Sequence, residues 1–207
     1  MPSNYLNLKQ IQETKVKDDY FPFFTVGNSF LEDIDSYALV EDFPDISEGG
    51  SFPVDVNTGQ NIKDLIEELE GPEFRKLLEE KFKVELKDKP AVTTLRGYSR
   101  LKDGKIHTDS STKTVTVLLY LNLNWNENEG HLRLLKDSKD LNNYIEEVPC
   151  IFGSMVGFKV TKNCWHGFQP YEGKRLSLQL NYISSQSLGL HNTRHRLSAF
   201  FKQLFKS

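Results

Sequence analysis

Two adjacent stretches in the first half of the chain carry apolar residues at a helical period. From Asn61, the residues Ile62, Leu65, Ile66 and Leu69 fall at i, i+3, i+4 and i+7, the spacing of one helix face. Gly71 breaks that helix, and Pro72 suits the first turn of a second one, with Phe74, Leu77, Leu78 and Phe82 on one side. The two faces together predict one apolar layer. Upstream the chain is irregular, with acidic turns such as EDFPDISEGGSFP, a strand-like FPFFTV and a short helix expected over Leu31 to Val40. From Ala91 the period changes to 2. AVTTLRGYSRL, TKTVTVLLYLNLNW, GHLRLL, CIFGSMVGFKV and RLSLQLNYI read as strands, separated by turn-rich LKDGK, NENEG and YEGKR.

No helical crossover is expected between these strands, so antiparallel pairing is favoured. The prediction is an α+β protein with a mainly β core, a barrel or jelly roll supported by the N-terminal helices. The closing segment, HNTRHRLSAFFKQLFKS, returns to helix: Leu197, Phe200, Phe201, Leu204 and Phe205 form a stripe opposite Arg196, Lys202 and Lys206. Packing onto the barrel is the first expectation for that stripe, a homodimer contact the second, and a membrane surface a third. The pattern assigns residues 1–207 to a single domain, with helical support over about 1–90, the β core over about 91–185 and the amphipathic helix over about 191–206.

A chain of 207 residues can bury a core without disulfides, and 27% charged with 38% apolar residues is a globular composition. The net charge of −3 supplies no basic field, which argues against a nucleic-acid partner. Cys150 and Cys164 are too few for a disulfide framework and read as thiols in a reducing compartment. MPSNYLNLKQIQETKVKDDY has no apolar leader core, and no stretch reaches the length of a membrane span. A cytoplasmic chain without integral membrane contact is expected.

The chemistry concentrates in KIHTDSST. On an extended backbone His107 and Asp109 point to the same face and can grip one cation from adjacent corners. His166, in NCWHGFQP at the end of another strand, completes two imidazoles and one carboxylate, the set that leaves open positions on non-heme Fe(II). Arg175 opens RLSLQLNYI. Strand parity puts Arg175, Ser177, Gln179 and Asn181 on one face and Leu176, Leu178, Leu180 and Tyr182 on the other. A buried arginine calls for an anion, and its planar fork matches a carboxylate. Tyr98 and Tyr120, in the strands before and after His107, could donate to the same anion.

The blocks LRGYSRLKDGKIHTD, VLLYLNLNW, EGHLRLL and WHGFQPYEGKRLSL, in that order, resemble the catalytic core of Fe(II)- and 2-oxoglutarate-dependent dioxygenases over about Thr94 to Ile183. Within them they are most similar to the prolyl 4-hydroxylase-like branch. The resemblance implies a double-stranded β-helix, a cupin-like barrel, with Fe(II) held by His107, Asp109 and His166. It implies 2-oxoglutarate as co-substrate, its distal carboxylate on Arg175 with Tyr98 and Tyr120 as helpers, and Leu118 and Leu132 lining that pocket. Dioxygen is then the oxidant, succinate and carbon dioxide the co-products, and ascorbate a reductant. Asn181 stands where hypoxia-sensing relatives carry a bulky aromatic, and their long substrate-gripping loops are not recognisable here. The prime substrate is therefore open between a prolyl residue in a peptide and a small metabolite such as an amino acid or sugar. A cupin-like isomerase or binding barrel would share the fold, but usually draws more histidines from the first motif and has no need of Arg175.

The remaining candidates read as structural. His131 is expected to face away from Leu132, His191 and His195 lack further ligands for zinc, and Cys164 is expected to be a buried, inert thiol.

Overall fold

The computed structural model describes residues 4–55 and 57–184. The expected C-terminal helix, with His191 and His195, lies outside the described residues. Helix α1 (Leu8–Glu13), strand β1 (Phe23–Val26), helix α2 (Ser36–Glu41) and strand β2 (Phe52–Pro53) precede the two long helices. These are α3 (Gln60–Glu70) and α4 (Pro72–Phe82), divided at Gly71 as the apolar period and Pro72 require. The helix expected from Leu31 starts later, at Ser36. Asp35 sets that start, because its carboxylate accepts from the backbone N–H of Tyr37 and Ala38 and caps the first turn.

Seven strands follow: β3 (Ala91–Ser99), β4 (Lys113–Tyr120), β5 (Leu132–Leu135), β6 (Tyr144–Val148), β7 (Met155–Lys159), β8 (His166–Gly167) and β9 (Gly173–Ile183). They form a six-stranded sheet ordered β1-β7-β4-β9-β3-β2 and a three-stranded sheet ordered β6-β5-β8. Every ladder is antiparallel. The strand expected over CIFGSMVGFKV begins only at Met155, because Gly153 takes a positive φ of 83° and turns the chain. The pattern gave no sign of β6, whose YIEEV is half-buried with acids at its centre.

Strand β4 is buried on both faces. Val115, Val117 and Leu119 join the larger apolar cluster with the inner faces of α3 and α4 and with Leu176, Leu178, Leu180 and Tyr182 of β9. Leu118 and Tyr120 point the other way, into a second cluster with Leu132, Leu134, Val148, Val156 and Phe158. The two sheets pack through this second cluster, and the helices back the large sheet. Each buried leucine here contributes roughly 1.5–3 kcal/mol. With one face fixed against the helices, the polar side of β9 must turn toward the space between the sheets.

Candidate active site

His107 and His166 are brought together by backbone pairing. The N–H of His107 donates to the carbonyl of His166 at 3.0 Å, and the N–H of His166 donates back at 2.9 Å. Such a reciprocal antiparallel pair sets both side chains on one face. The two rings stand 4.3 Å apart between centroids. The contact needs two glycines. Gly104, at φ +83°, has the Phe168 carbonyl 2.5 Å from where a Cβ would sit, and a Cβ on Gly167 would lie 2.7 Å from the Gly104 carbonyl. His166 thus opens its own short strand, β8, where the end of a strand was expected.

Each imidazole is held by a carbonyl. Nδ1 of His107 donates to Lys105 O and Nδ1 of His166 to Cys164 O, both at 2.8 Å. A carbonyl only accepts, so both rings carry the proton on Nδ1 and keep the Nε2 lone pair free, the state a metal requires. Asp109 sits on the same face as His107. One ligand-capable atom from each of His107, Asp109 and His166 lies within 4.8 Å of the others. Lys113 Nζ binds Asp109 Oδ1 at 2.8 Å, and the Thr116 hydroxyl reaches Oδ2 and, at 3.1 Å, the buried Asn181 carboxamide. Burial alone would raise the Asp109 pKa, but the charges of Lys113 and His166 and the bonds from Lys113 and Thr116 outweigh it and hold the group below its ordinary range.

Burial, then the neighbouring His107, pushes His166 down to about 4, against the opposite pull of Asp109. The buried ring therefore stays neutral while an unfolded histidine protonates near 6.5. The unfolded state gains the proton first, so stability is lost as pH falls from 6.5 toward 4, by about 3 kcal/mol from this group alone. Urea unfolding of metal-free protein across that window measures the slope. His166→Gln is expected to flatten it, and an identical slope in that variant would rule the assignment out.

A cavity of ≈330 Å³ opens beside the triad, with His107, Arg96, Tyr98, Phe168 and Arg175 among its walls. Arg175 is buried, with Nε donating to Gly130 O at 2.9 Å and Nη2 to the Tyr120 hydroxyl at 3.1 Å. Its guanidinium lies 4.2 Å from the Phe168 ring centroid. Burial raises the Tyr120 pKa above its ordinary value despite the Arg175 charge, so the phenol stays a neutral donor. Tyr98 lines the cavity directly. Leu118 and Leu132, expected to line the pocket, are not among these walls; they are packed with Tyr120 in the second apolar cluster. The sequence reading missed Arg96, Lys113 and Thr116. A register shift in β3 between Arg96 and Tyr98 breaks the alternation that could have linked them, and no local signal ties Lys113 to Asp109.

Of the other candidates, His131 and Cys164 fall as expected. His131 Nδ1 accepts from the Cys150 N–H at 3.2 Å, a structural bond away from the triad. Cys164 is buried, with Sγ donating to Thr161 O at 3.1 Å. Among the described residues no helix is long and apolar enough to cross a membrane.

Residues 94–183 match the 2OG-Fe(II) oxygenase superfamily. No curated protein sequence matches the chain. Among solved structures, a prolyl-4-hydroxylase from Pseudomonas putida is similar at a TM-score of 0.59 and 15% identity, over 89% of this chain and 94% of that one. A prolyl hydroxylase from Trichoplax adhaerens, solved with a hypoxia inducible factor peptide fragment, gives 0.57 and 18%, over 89% and 90%. A viral collagen prolyl hydroxylase from Paramecium Bursaria Chlorella virus-1 gives 0.53 and 14%, over 82% and 93%. At these identities the likeness is one of fold, the double-stranded β-helix. Residues 94–183 thus form a 2OG-Fe(II) oxygenase core, and the activity it carries is that of a dioxygenase using Fe(II), 2-oxoglutarate and O2.

Proposed function

We propose that His107, Asp109 and His166 are the Fe(II) ligands and that Arg175 receives the distal carboxylate of 2-oxoglutarate. The carrying observation is the convergence of two Nδ1-protonated imidazoles and one ionised carboxylate beside a cavity that also contains a buried guanidinium. The donor set fits ferrous iron: two neutral nitrogens and one carboxylate oxygen, crowded on one side. When bound, the metal with 2-oxoglutarate and O2 supplies the oxidising power that hydroxylates a C–H bond, releasing succinate and carbon dioxide.

The protein supplies placement. The carbonyls of Lys105 and Cys164 fix the two rings, and Lys113 and Thr116 fix the carboxylate. Tyr120 and Tyr98 add donors near Arg175, while Leu118 and Leu132 back the pocket and keep water from it. Purified chain with Fe(II), 2-oxoglutarate and ascorbate, without prime substrate, is expected to form succinate slowly and to stop when iron is withheld. Succinate at the protein-free rate would return the barrel to the isomerase or binding class. Lys113→Met is expected to lower Fe(II) affinity about tenfold or more, the usual weight of a partner behind a ligand. Equilibrium competition with a ferrous chelator reads it, and unchanged affinity removes Lys113 from that role.

For the prime substrate, a prolyl residue in a peptide is the first reading. A second cleft, of ≈460 Å³ and walled in part by Phe43, Pro44, Ile46 and Leu176, adjoins the first at Tyr98 and gives room for an extended chain. Asn181 supports the small-metabolite reading, since nothing bulky stands there. Stimulation of succinate formation by proline-containing peptides, compared with free amino acids and sugars, separates the two. The chain is read as one cytoplasmic domain with a catalytic half over about 91–185. Shared packing of α3 and α4 with β9 supports the single domain, and two unpaired buried thiols support the compartment.

A further inference from the structure

We infer that Arg96 is a second guanidinium for the distal carboxylate of the co-substrate, acting beside Arg175. This rests on the proposed 2-oxoglutarate site and deepens it. Three neighbouring strands set the donors in one row. Ser177 of β9 is registered opposite Tyr120 of β4 on one side and Arg96 of β3 on the other. Directly opposed residues share a face, and Arg175, two residues before Ser177, lies on that face as well. Arg96 and Arg175 both line the ≈330 Å³ cavity that His107 also borders.

Hydrogen bonding singles Arg96 out. Its Nε donates to Ser51 Oγ at 3.0 Å, and its two terminal NH2 groups have no protein partner among the described residues. The hydroxyl of Ser177, fully buried between Tyr120 and Arg96, has none either. Arg175, by contrast, already gives Nε to Gly130 O and Nη2 to Tyr120, so part of its fork is engaged within the protein.

Charge sharpens the point. Burial first, and the Arg175 charge second, work against the charged state of Arg96. The nearby acids are committed elsewhere: the Arg100 guanidinium holds Asp103 through two contacts at 2.9 and 3.1 Å, and Lys113 and Thr116 hold Asp109. Two like charges facing one small cavity, with both neighbouring carboxylates held elsewhere, call for an anion. 2-Oxoglutarate brings two carboxylates. With one carboxylate taken up by the metal site that His107, Asp109 and His166 would provide, the other would be left for the ring of donors from Arg175, Tyr120, Ser177 and Arg96.

The test is an anaerobic titration of the Fe(II)-loaded protein, followed at the visible charge-transfer band of a chelated 2-oxo acid. Two ligands are compared: 2-oxoglutarate, and 2-oxobutyrate, which has the same chelating head and no distal carboxylate. Arg96→Ala is expected to weaken 2-oxoglutarate about ten- to a hundredfold, the weight of one charge-assisted hydrogen bond, and to leave 2-oxobutyrate unmoved. Arg96→Lys, which keeps charge and stem, is expected to fall between, and it carries the test if the alanine variant does not fold. Unchanged affinity for both ligands overturns the inference and hands Arg96 to the prime substrate. Equal weakening of both overturns it as well, since the loss then lies in the fold or the metal. A wild-type protein that gives no band with either ligand sinks the proposed site itself, whatever the variants do.

Discussion

His107→Ala protein is expected to fold, to retain no stoichiometric Fe(II) and to form succinate at the protein-free rate. The loss should exceed the roughly 10–100-fold of a partner behind a ligand, because a direct donor disappears. His107 makes this the cleanest variant of the three. Its residue is exposed, while His166 is buried against Phe158 at 5.0 Å between centroids. Truncating an exposed side chain away from the core costs about 0.5 kcal/mol or less. The backbone bridge that pairs His107 with His166 uses main-chain atoms and survives the change. Iron content after gel filtration, succinate by mass spectrometry and the thermal midpoint give the three readouts. Full turnover with an unchanged midpoint would dispose of the triad. A collapsed midpoint would show that His107 supports the fold instead.

Arg175→Met carries the second large effect. It conserves much of the side-chain volume and removes every donor. The variant is expected to raise the Michaelis constant for 2-oxoglutarate about a hundredfold or more, since two charge-assisted hydrogen bonds are lost. The Tyr120 hydroxyl loses its Arg175 donor and Gly130 O is left with the Cys150 thiol alone, so the protein should also be destabilised by about 1–3 kcal/mol. The two effects separate in Arg175→Lys, which keeps the charge but not the planar fork and should weaken 2-oxoglutarate by about tenfold. Initial rates of succinate formation against 2-oxoglutarate concentration check both. A Michaelis constant that stays at the wild-type value in Arg175→Met removes Arg175 from co-substrate binding.

Much of this arrangement was legible in the chain because it depends on period and parity. The alternation RLSLQLNYI put Leu176, Leu178, Leu180 and Tyr182 on the helix-packed side of β9 and Arg175 and Ser177 on the opposite face, where the folded protein has them. The i, i+2 spacing of His107 and Asp109 was likewise a local fact. Lys113 was not legible. It reaches Asp109 across the turn into β4, and nothing in four residues of sequence separation distinguishes that contact from a solvated lysine. Arg96 was missed for a different reason. The ladder of β3 against β9 shifts register between Arg96 and Tyr98, so alternation does not carry across that point, and only the register itself sets Arg96 opposite Ser177.

The sequence by itself determined the class of the fold, the faces of α3, α4 and β9, and the residue types able to hold iron, because each follows from repeats of 3.6 or 2 residues and from side-chain chemistry. The tertiary structure alone decided that the loop ending at His107 pairs with β8, and that Gly104 and Gly167 leave the backbone room to do so. It also decided which donors meet in the cavity. Distance between residues far apart in the chain is fixed by strand register and by the packing of one sheet on the other, and neither is written in the local alternation that makes a strand.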